Sequence, residues 1–334
     1  MNGIPKDSQK QQVALTARVL AGRAFLIRTP VCTLFYAHLE RWLTCGMLGA
    51  IVYGRPRFGK SSAARWALSA LKYALAPVPW IEVPVRRQHK DNEGAFFQHL
   101  LQCTRNQWAK KGTVTERRNR LTDALTARAK RSPVRTVILF FDEAHLLNEL
   151  HYSWLINISN ELEGRGLRLF CLLVGQQQLL GQKANFIQDG RDEYVARFMT
   201  EDWALPGISS YEEFARCLKQ YDDAIYPADS ERPFASYYLP EAVRDGWHIQ
   251  YLAKPLYETM QHFWADAGRR DAMVIPMHYV TSSLVILLNE LGRFDASLPV
   301  IPQKTFQTAV SRSGFGNALI SLPEATKTEK RKTF

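Results

Sequence analysis

The chain has 334 residues, of which 46% are apolar and 22% charged, and its formal net charge is +11. This composition is ordinary for a globular protein with one large α/β domain and a smaller one. No apolar stretch reaches the length of a membrane span and no signal peptide begins the chain, so we expect a cytoplasmic protein without membrane contact. Five scattered cysteines show no CxxC and no metal-ligand spacing, which indicates reduced thiols in a cytosol.

The first predicted elements are a polar arm over residues 1–30 and a helix over Thr33–Trp42, where apolar residues recur at helical spacing. The apolar run Ala50–Tyr53 predicts a buried strand, and Ser61–Leu75 predicts the helix that follows. A strand and a helix joined by a short glycine loop are the context of a phosphate-binding loop.

That loop is present in full. The stretch Gly54-Arg55-Pro56-Arg57-Phe58-Gly59-Lys60-Ser61 fits the pattern GxxxxGK[ST], which predicts ATP binding. Backbone N–H groups and the helix N-terminus would hold the phosphates, Lys60 would reach the outer phosphates, and Ser61 would coordinate Mg²⁺. The alternative is a chance match in a glycine turn, which the flanking elements disfavour. The predicted ATP-binding residues are Gly54, Arg55, Pro56, Arg57, Phe58, Gly59, Lys60, Ser61 and Ser62.

Further along, Trp80–Val85 predicts a short strand, whose proline favours a sheet edge. Helices are predicted over Phe96–Trp108 and Arg117–Ala129, on either side of a basic loop, Lys110–Thr115. Residues 1–135 hold 24 Lys and Arg against 7 Asp and Glu, a balance of +17, whereas the rest of the chain has a balance of −6.

This uneven charge indicates a polyanionic partner, of which nucleic acid is the obvious kind. The sequence contains no helix-turn-helix or zinc-finger pattern, so we expect contacts mostly with phosphates and little sequence specificity. The alternative for each basic residue is a solvated helix face. The densest basic segment runs from Arg105 to Arg135, and Arg86, Arg87 and Lys90 could join its surface.

A second motif follows the basic segment. The apolar run Arg135–Phe141 predicts a buried parallel strand, whose carboxyl end carries Asp142-Glu143-Ala144-His145. Asp142 would hold Mg²⁺ and Glu143 would be the base that activates the attacking water. Without a phosphate loop upstream, two surface carboxylates would be the better interpretation.

The remaining pattern alternates a helix over His151–Leu162 with a strand over Leu169–Val174 and becomes mostly helical beyond Pro206. The fold class is therefore α/β, with a parallel sheet between helices and right-handed crossovers. The predicted domains are an arm (1–30), an ATPase core (31–206), a helical lid (207–322) and a basic tail (323–334).

Past the second motif, the arrangement resembles the AAA+ class of ATPases. In this resemblance Gln176, or else Gln177, is the sensor-1 residue that follows the strand ending at Val174. Arg197, just before Phe198, is the better candidate for an arginine finger and Arg191 the second. Such a finger stabilises charge on the transferred phosphoryl group in a neighbouring subunit's site, so an oligomer is implied. The alternative is a surface arginine on a short helix.

Within this class, residues 29–218 resemble the TniB/TnsC group of transposition ATPases, which are related to MuB and include relatives in CRISPR-associated transposons. The resemblance rests on Tyr53–Ser62, on Phe140–His145, on Leu173–Gln177, and on the step from Val195–Phe198 to Tyr211–Phe214. The long basic insertion between the two ATP motifs adds specificity. This chain departs from the group in three respects. Gln176 stands where the group more often has threonine or another small polar residue, and no arginine matches the sensor-2 position. The chain beyond Tyr221 resembles no known family.

The resemblance implies ATP-dependent assembly on duplex DNA, as rings or helical filaments, in a prokaryotic cytosol or nucleoid. The implied partners are a TniQ-like target-selection protein and a transposase, and hydrolysis would reset the assembly. The basic tail Lys327–Lys332 could reach the transposase. The residues that would face DNA are Lys110, Lys111, Thr113, Thr115, Arg117 and Arg118.

Three other classes of protein stay open. A DEAH-type helicase shares the letters of residues 142–145 but needs a second motor domain, for which residues 199–334 are too few and too acidic. A helicase loader or a replication-initiator-like switch is the stronger alternative, although an initiator would be expected to add a winged-helix DNA reader. A scaffold that binds ATP without hydrolysing it would not need Glu143.

Overall fold

The computed structural model describes residues 26–73, 77–87, 92–225, 231–297 and 300–321. The chain divides into two compact units. The first, here the sheet unit, holds residues 31–56 and 60–205; the second, here the helical unit, holds residues 57–59 and the described residues from 206 onward, with 26–30. The predicted domain limits remain a prediction, and most of the arm, Lys90 and the whole basic tail lie outside the described residues.

Five parallel strands form the sheet, in the spatial order β2-β3-β4-β1-β5. The four predicted strands are confirmed, including the edge position of the proline-containing one. The fifth was not predicted, because it has only four residues and two of them are acidic. The strands are β1 (Gly49–Tyr53), β2 (Trp80–Pro84), β3 (Thr136–Asp142), β4 (Arg168–Gly175) and β5 (Glu201–Ala204).

The strand order positions the two ATP motifs. All seven residues of β3 are buried, as its apolar sequence predicts. Strand β4 pairs with β3 on one side and with β1 on the other. Because all strands are parallel, the residues after β4 lie between the phosphate loop that follows β1 and the carboxylates at the end of β3.

Helices connect these strands; one of them ends earlier than predicted and another was not predicted. The helix predicted to reach Trp108 ends at Cys103, because the Thr104 hydroxyl donates to Leu101 O at 2.7 Å and Arg105 adopts a left-handed backbone with φ of 59°. The helix after Gln177 was not predicted, since its polar sequence gives a weak periodic pattern. The helices are α1 (Pro30–Thr44), α2 (Lys60–Ala70), α3 (Glu93–Cys103), α4 (Val114–Arg131), α5 (Glu149–Glu163), α6 (Gln178–Gln188) and α7 (Asp192–Phe198).

Each unit has its own apolar core. In the sheet unit, Phe97, Phe141, Tyr152 and Phe198 are fully buried in one cluster. Burying each such side chain stabilises the fold by about 1.5–3 kcal/mol. These residues come from α3, β3, α5 and α7, so the core fixes the helices against the strands that carry the motifs.

The helical unit confirms the predicted change of pattern beyond Pro206. Its core gathers apolar residues such as Phe214, Leu256, Leu284 and Phe306. Among the described residues of both units, no helix is long and apolar enough to cross a membrane. The helices of this unit are α8 (Tyr211–Asp222), α9 (Pro240–Arg244), α10 (Ala253–Asp266), α11 (Met277–Leu291), α12 (Gln303–Arg312) and α13 (Phe315–Ser321).

Candidate functional site

The phosphate loop runs from the end of β1 to the start of α2. Lys60 is the first residue of α2, and its Nζ donates to the carbonyls of Gly54 and Arg55, each at 2.9 Å. A side chain at Gly54 would be tightly confined, since an added Cβ would lie 3.3 Å from Leu205 O. Gly59 has φ of 88°, a left-handed conformation that glycine adopts readily. The loop therefore turns back over the lysine ammonium.

The tip of the loop, residues 57–59, belongs to the helical unit by its contacts. Arg57 has a left-handed backbone with φ of 68°, and its Nη1 donates to Tyr279 Oη at 2.8 Å. The N–H of His278 donates to Arg57 O at 3.2 Å. Phe58 is buried, whereas Pro56 and Ser62 are exposed.

The predicted metal ligands, Ser61 and Asp142, lie side by side. The Ser61 hydroxyl donates to Asp142 Oδ1 at 2.7 Å, although 81 positions separate the two residues in the sequence. A serine hydroxyl and a carboxylate are the oxygen ligands that Mg²⁺ takes in phosphate-loop sites. The donor set therefore fits Mg²⁺ at the end of β3.

Burial changes the protonation chemistry of Lys60. Loss of contact with water lowers the pKa of Lys60, and the nearby carboxylates of Glu143 and Asp142 offset this only in part. The ammonium is poorly hydrated where it lies. An anionic phosphate in reach of Nζ would compensate that charge, which agrees with the role predicted for this lysine.

Glu143, the predicted base, directly follows β3 and has a left-handed backbone, with φ of 58° and ψ of 38°. Such a conformation is rare for glutamate and stores about 1–3 kcal/mol of strain, typically at functional sites. The turn points the carboxylate out of the core, with 46% of the side chain exposed. Glu143 is thus accessible to water while Asp142, one residue earlier, is buried.

His145 joins the predicted base to the predicted sensor. Its Nδ1 lies 3.4 Å from Glu143 Oε2 and accepts the Gln176 backbone N–H at 3.5 Å. Burial lowers the pKa of His145, while the Glu143 carboxylate acts in the opposite direction. Gln182 secures the turn by donating to His145 O at 3.0 Å. Gln177, the second sensor candidate, is the residue before α6.

Two site residues were missed by sequence reasoning, Arg65 on α2 and Glu82 on β2. The Arg65 guanidinium donates to both oxygens of Glu82, at 2.8 and 2.6 Å, and lies 3.6 Å from Asp142 Oδ2. One feature of the sequence could have indicated them: Arg65 in α2 and Glu82 in β2 are each a charged residue within an otherwise apolar segment. Their pairing is tertiary and no motif encodes it.

The two candidate arginine fingers are engaged within the chain. Arg197 Nη1 donates to Glu163 Oε1 at 2.8 Å and to the Ser159 hydroxyl at 2.9 Å, and 23% of its side chain is exposed. Arg191 pairs with Glu149 at 2.9 Å and is 50% exposed. Both arginines therefore have a carboxylate partner within the chain.

The basic segment between α3 and α4 is held by its own arginines. Arg117 donates to Gly94 O at 3.2 Å and to Lys110 O at 3.0 Å. Arg120 donates to Trp108 O at 2.8 Å and to Lys111 O at 3.0 Å. The guanidinium groups therefore fix the loop's backbone, and the loop presents other groups to solvent.

Among the six residues predicted to face DNA, three form hydrogen bonds or ion pairs within the chain. Thr113 is the N-cap of α4 and forms a capping box with Glu116. Arg117 fastens the loop, and Arg118 lies 3.8 Å from Glu161. Lys110, Lys111 and Thr115 are exposed.

An exposed aromatic residue accompanies these lysines. Trp108 is 47% exposed, and Lys111 Nζ lies 4.3 Å from the centre of its ring. This cation–π contact holds the ammonium at the surface of the loop. The basic loop thus exposes two lysines that sequence reasoning had assigned to DNA, and one of them, Lys111, contacts a tryptophan that it had not assigned.

Comparison with known proteins agrees with this architecture. Residues 47–182 match a protein family described as AAA domain. The Aeropyrum pernix ORC2 protein in its ADPNP–ADP complexes is similar in structure, with a TM-score of 0.56 at 13% identity over 95% of this chain and 74% of that one. Its ADP form gives a TM-score of 0.55 at 14% identity, over 88% and 72% of the two chains. No curated protein sequence matches the chain.

The matched segment spans β1 to the first half of α6, so it contains the phosphate loop, the basic segment and both motif carboxylates. The parallel sheet followed by a helical region is the arrangement predicted from the sequence, and the structure adds the strand order, with β4 between the two motif strands. Residues 47–182 therefore match an AAA domain, and the chain has the AAA+ P-loop fold, with a helical C-terminal region.

Proposed function

We propose that this protein is an ATPase that uses Mg²⁺ and works on duplex DNA as a regulator of transposition. The observation that carries the ATPase part is the 2.7 Å hydrogen bond from Ser61 to Asp142, which joins the phosphate loop to the end of β3. Serine hydroxyl and carboxylate would hold the metal, which when bound neutralises charge on the phosphates.

The chain's own residues would supply the remaining chemistry. The loop N–H groups and Lys60 would bind and orient the triphosphate, and Glu143 would take the proton of the attacking water. Gln176 lies between the two motifs in the sheet order, which supports its role as the sensor of the outer phosphate. Arg197 or Arg191 would act in a neighbouring subunit after leaving Glu163 or Glu149.

The DNA-binding part rests on charge and on the surface of the basic loop. Lys110 and Lys111 are exposed on a loop whose backbone is fixed, so they would meet the phosphates of duplex DNA without first being ordered. Thr113, Thr115, Arg117 and Arg118 would support or extend this contact. Acting on chromosomal DNA, the protein would work in the nucleoid.

The transposition role rests on the resemblance of the sequence to the TniB/TnsC group, because the fold alone does not specify it. In this role, copies of the chain would assemble with ATP on DNA as a ring or filament. The assembly would connect a TniQ-like target-selection protein to a transposase, and hydrolysis would reset it. The basic tail Lys327–Lys332 is the proposed contact with the transposase.

A second candidate function is an initiator-like or helicase-loader-like ATP switch on DNA. The structural similarity to the Aeropyrum pernix ORC2 protein favours it, at a TM-score of 0.56. Both candidates bind ATP and DNA; they differ in whether the ATPase responds to a transposase. Stimulation of hydrolysis by a transposase would support the first candidate, and stimulation by a replicative helicase would support the second.

The ATPase is tested with purified protein and two variants. Lys60→Ala should lose ATP binding, because the ammonium that contacts the outer phosphates is gone. Glu143→Gln should keep ATP binding and lower kcat by about 10²–10⁴-fold, the usual contribution of a general base. If the wild-type protein binds ATP but does not hydrolyse it, the protein is a scaffold instead.

Assembly is tested by electron microscopy of the protein with duplex DNA, with and without a non-hydrolysable ATP analogue. Rings or filaments that need the analogue support the proposal, and their subunit interface shows which of Arg197 and Arg191 reaches a neighbour. A monomer that responds to neither ligand would overturn the oligomeric mechanism and leave only nucleotide binding.

A further inference from the structure

We propose that Arg65 is a positioning residue for the metal-binding carboxylate of Asp142, and that Glu82 holds Arg65 in this position. The inference deepens the proposed ATPase function and rests on it. Neither residue belongs to the phosphate-loop pattern or to the second motif, and neither is expected to touch the nucleotide. They act through Asp142, which is the only residue of β3 with a proposed metal role.

Helix geometry brings Arg65 to the site. Ser61 and Arg65 are four positions apart on α2, so their side chains lie on the same face, one turn apart. Both face the Asp142 carboxylate, where Ser61 takes Oδ1 at 2.7 Å and Arg65 approaches Oδ2 at 3.6 Å. Each oxygen of the carboxylate therefore has its own neighbour on the helix, and this fixes the rotation of the carboxylate plane.

Glu82 fixes Arg65 in turn. The guanidinium presents Nε and Nη2 to the two carboxylate oxygens of Glu82, at 2.8 and 2.6 Å. This two-bond arrangement is the strong and directional form of the arginine–carboxylate pair. Glu82 lies on β2, which pairs with β3, so the anchor and Asp142 are carried by neighbouring strands of one sheet.

Because Arg65 and Asp142 are buried, the Glu82–Arg65–Asp142 arrangement is sensitive to the loss of any one of the three side chains. The side chains of Arg65 and Asp142 are each 11% exposed, and such charges are stable in a protein interior only when they are paired. One guanidinium is shared by two carboxylates, and Glu82 has the shorter contacts. Asp142 thus keeps a net negative charge directed at the metal site while one of its oxygens is held by Arg65.

The two residues therefore support the Mg²⁺ site in different ways. Without Glu82, Arg65 is free to pair fully with Asp142, and its positive charge then competes with Mg²⁺. Without Arg65, the carboxylate loses its orientation, although no competing charge remains. Both changes should weaken Mg²⁺ binding, and neither should alter how the loop binds a nucleotide without metal.

The test measures nucleotide binding on the full chain, using a fluorescent ATP analogue. In one titration Mg²⁺ is added, and the concentration that gives half of the maximal increase in nucleotide binding is determined. A second titration measures the affinity for the nucleotide in EDTA, without metal. We expect Glu82→Gln and Arg65→Gln to raise the half-maximal Mg²⁺ concentration by about 10–100-fold, the usual effect of removing an outer partner of a metal ligand. Affinity in EDTA should stay unchanged.

The charge-reversed pair, Arg65→Glu with Glu82→Arg, separates positioning from simple stabilisation. It restores an ion pair between positions 65 and 82 but brings a carboxylate next to Asp142. We expect it to recover thermal stability relative to the single variants and to leave the Mg²⁺ requirement raised. Recovery of both properties together would mean that the pair only stabilises the fold, and would overturn the inference.

Arg269→Gln is the matched control, since Arg269 is 6% exposed and pairs with Asp271 at 3.3 Å in the helical unit. It should lower stability without changing the Mg²⁺ titration. Should Arg65→Gln fail to fold, Arg65→Lys and Glu82→Gln decide the question. If nucleotide binding by the wild-type protein does not depend on Mg²⁺, the proposed function itself is rejected. If it does depend on Mg²⁺ and the variants need the same Mg²⁺ concentration as the wild type, only the positioning role is rejected.

Discussion

At the scale of single residues, Glu143 combines a predicted chemical role with a backbone that is unfavourable for its type. Its φ of 58° lies in the left-handed region, which asparagine tolerates better than glutamate. Glu143→Asn should therefore raise the free energy of unfolding by about 1 kcal/mol in the absence of nucleotide, while ATP hydrolysis is lost. Urea unfolding and an ATPase assay measure the two effects.

Arg105→Asn is the control for this exchange, because exposed Arg105 has φ of 59° and lies outside the ATP motifs. It should give a similar gain in stability with hydrolysis intact. A loss of stability in Glu143→Asn would show that the glutamate side chain, rather than its backbone, dominates at this position.

Acid sensitivity is expected from the histidines. Burial lowers the pKa of His38, His99, His145 and His278 below the value of 6.5 that these groups have in the unfolded chain. The unfolded chain then binds protons more readily, so stability should fall as the pH drops through 6.5 and level off below the folded pKa values. The effect should be modest, because each ring keeps part of its contact with water.

Thermal unfolding at pH 7.5, 6.5 and 5.5 measures the slope of melting temperature against pH. His99→Gln should make the slope shallower, whereas exposed His262→Gln on α10 should leave it unchanged. A melting temperature independent of pH over this range would contradict the prediction.

Sequence patterns could identify the site residues that belong to a local motif. Lys60, Ser61, Asp142 and Glu143 lie next to strands whose apolar runs are unambiguous. Arg65 could not be assigned in this way, because its partners come from β2 and β3 and only the folded sheet brings them together.

At the scale of elements, the start of α4 determines how the basic loop is presented. The Thr113 hydroxyl accepts the Glu116 N–H at 3.3 Å, and the Glu116 carboxylate accepts the Thr113 N–H at 2.7 Å. Thr113→Ala should lower the free energy of unfolding by about 1 kcal/mol. Thr115→Ala is the control, since Thr115 is exposed within the same first turn and should change stability little.

These two variants also separate capping from DNA contact. Both threonines were predicted to face DNA, so equal losses of stability would contradict the capping role, and a loss of DNA affinity for Thr115→Ala alone would support direct contact. Chemical denaturation and a DNA-binding titration on the same preparations distinguish these cases.

Element prediction succeeded where a segment was long and its pattern consistent. Strand β3, with its unbroken apolar run, is one such case, and α5 differs from its predicted limits by only a few residues. Strand β5 was missed because its place is set by pairing with β1 and not by its own four residues, two of which are carboxylates.

At the scale of the whole molecule, the uneven charge leads to a prediction about salt. Each phosphate contact contributes about −0.9 to the slope of log affinity against log salt concentration. Lys110→Ala with Lys111→Ala should therefore weaken duplex binding and make that slope shallower by about 1.8. Fluorescence anisotropy at several salt concentrations measures both quantities.

Lys254→Ala with Lys304→Ala is the control, because it removes the same charge from exposed positions on α10 and α12 of the helical unit. Equal effects of the two double variants would mean that net charge, and not the basic loop, determines binding. An unchanged slope for the loop variant would reject the loop as a DNA contact.

The central place of β4 has a consequence for how ATP is sensed. The strand is hydrogen-bonded along both edges and seven of its eight residues are buried, so its amides should exchange with solvent deuterium only when the sheet unit unfolds. Gln176 thus directly follows a strand that is buried and paired on both edges. If Gln176 is the sensor, a change of nucleotide would act through side-chain rotation around His145 and through the turn that Gln182 secures. In exchange experiments with and without ATP, the difference should then be confined to residues 143–147 and 176–182 and be absent from β4 itself.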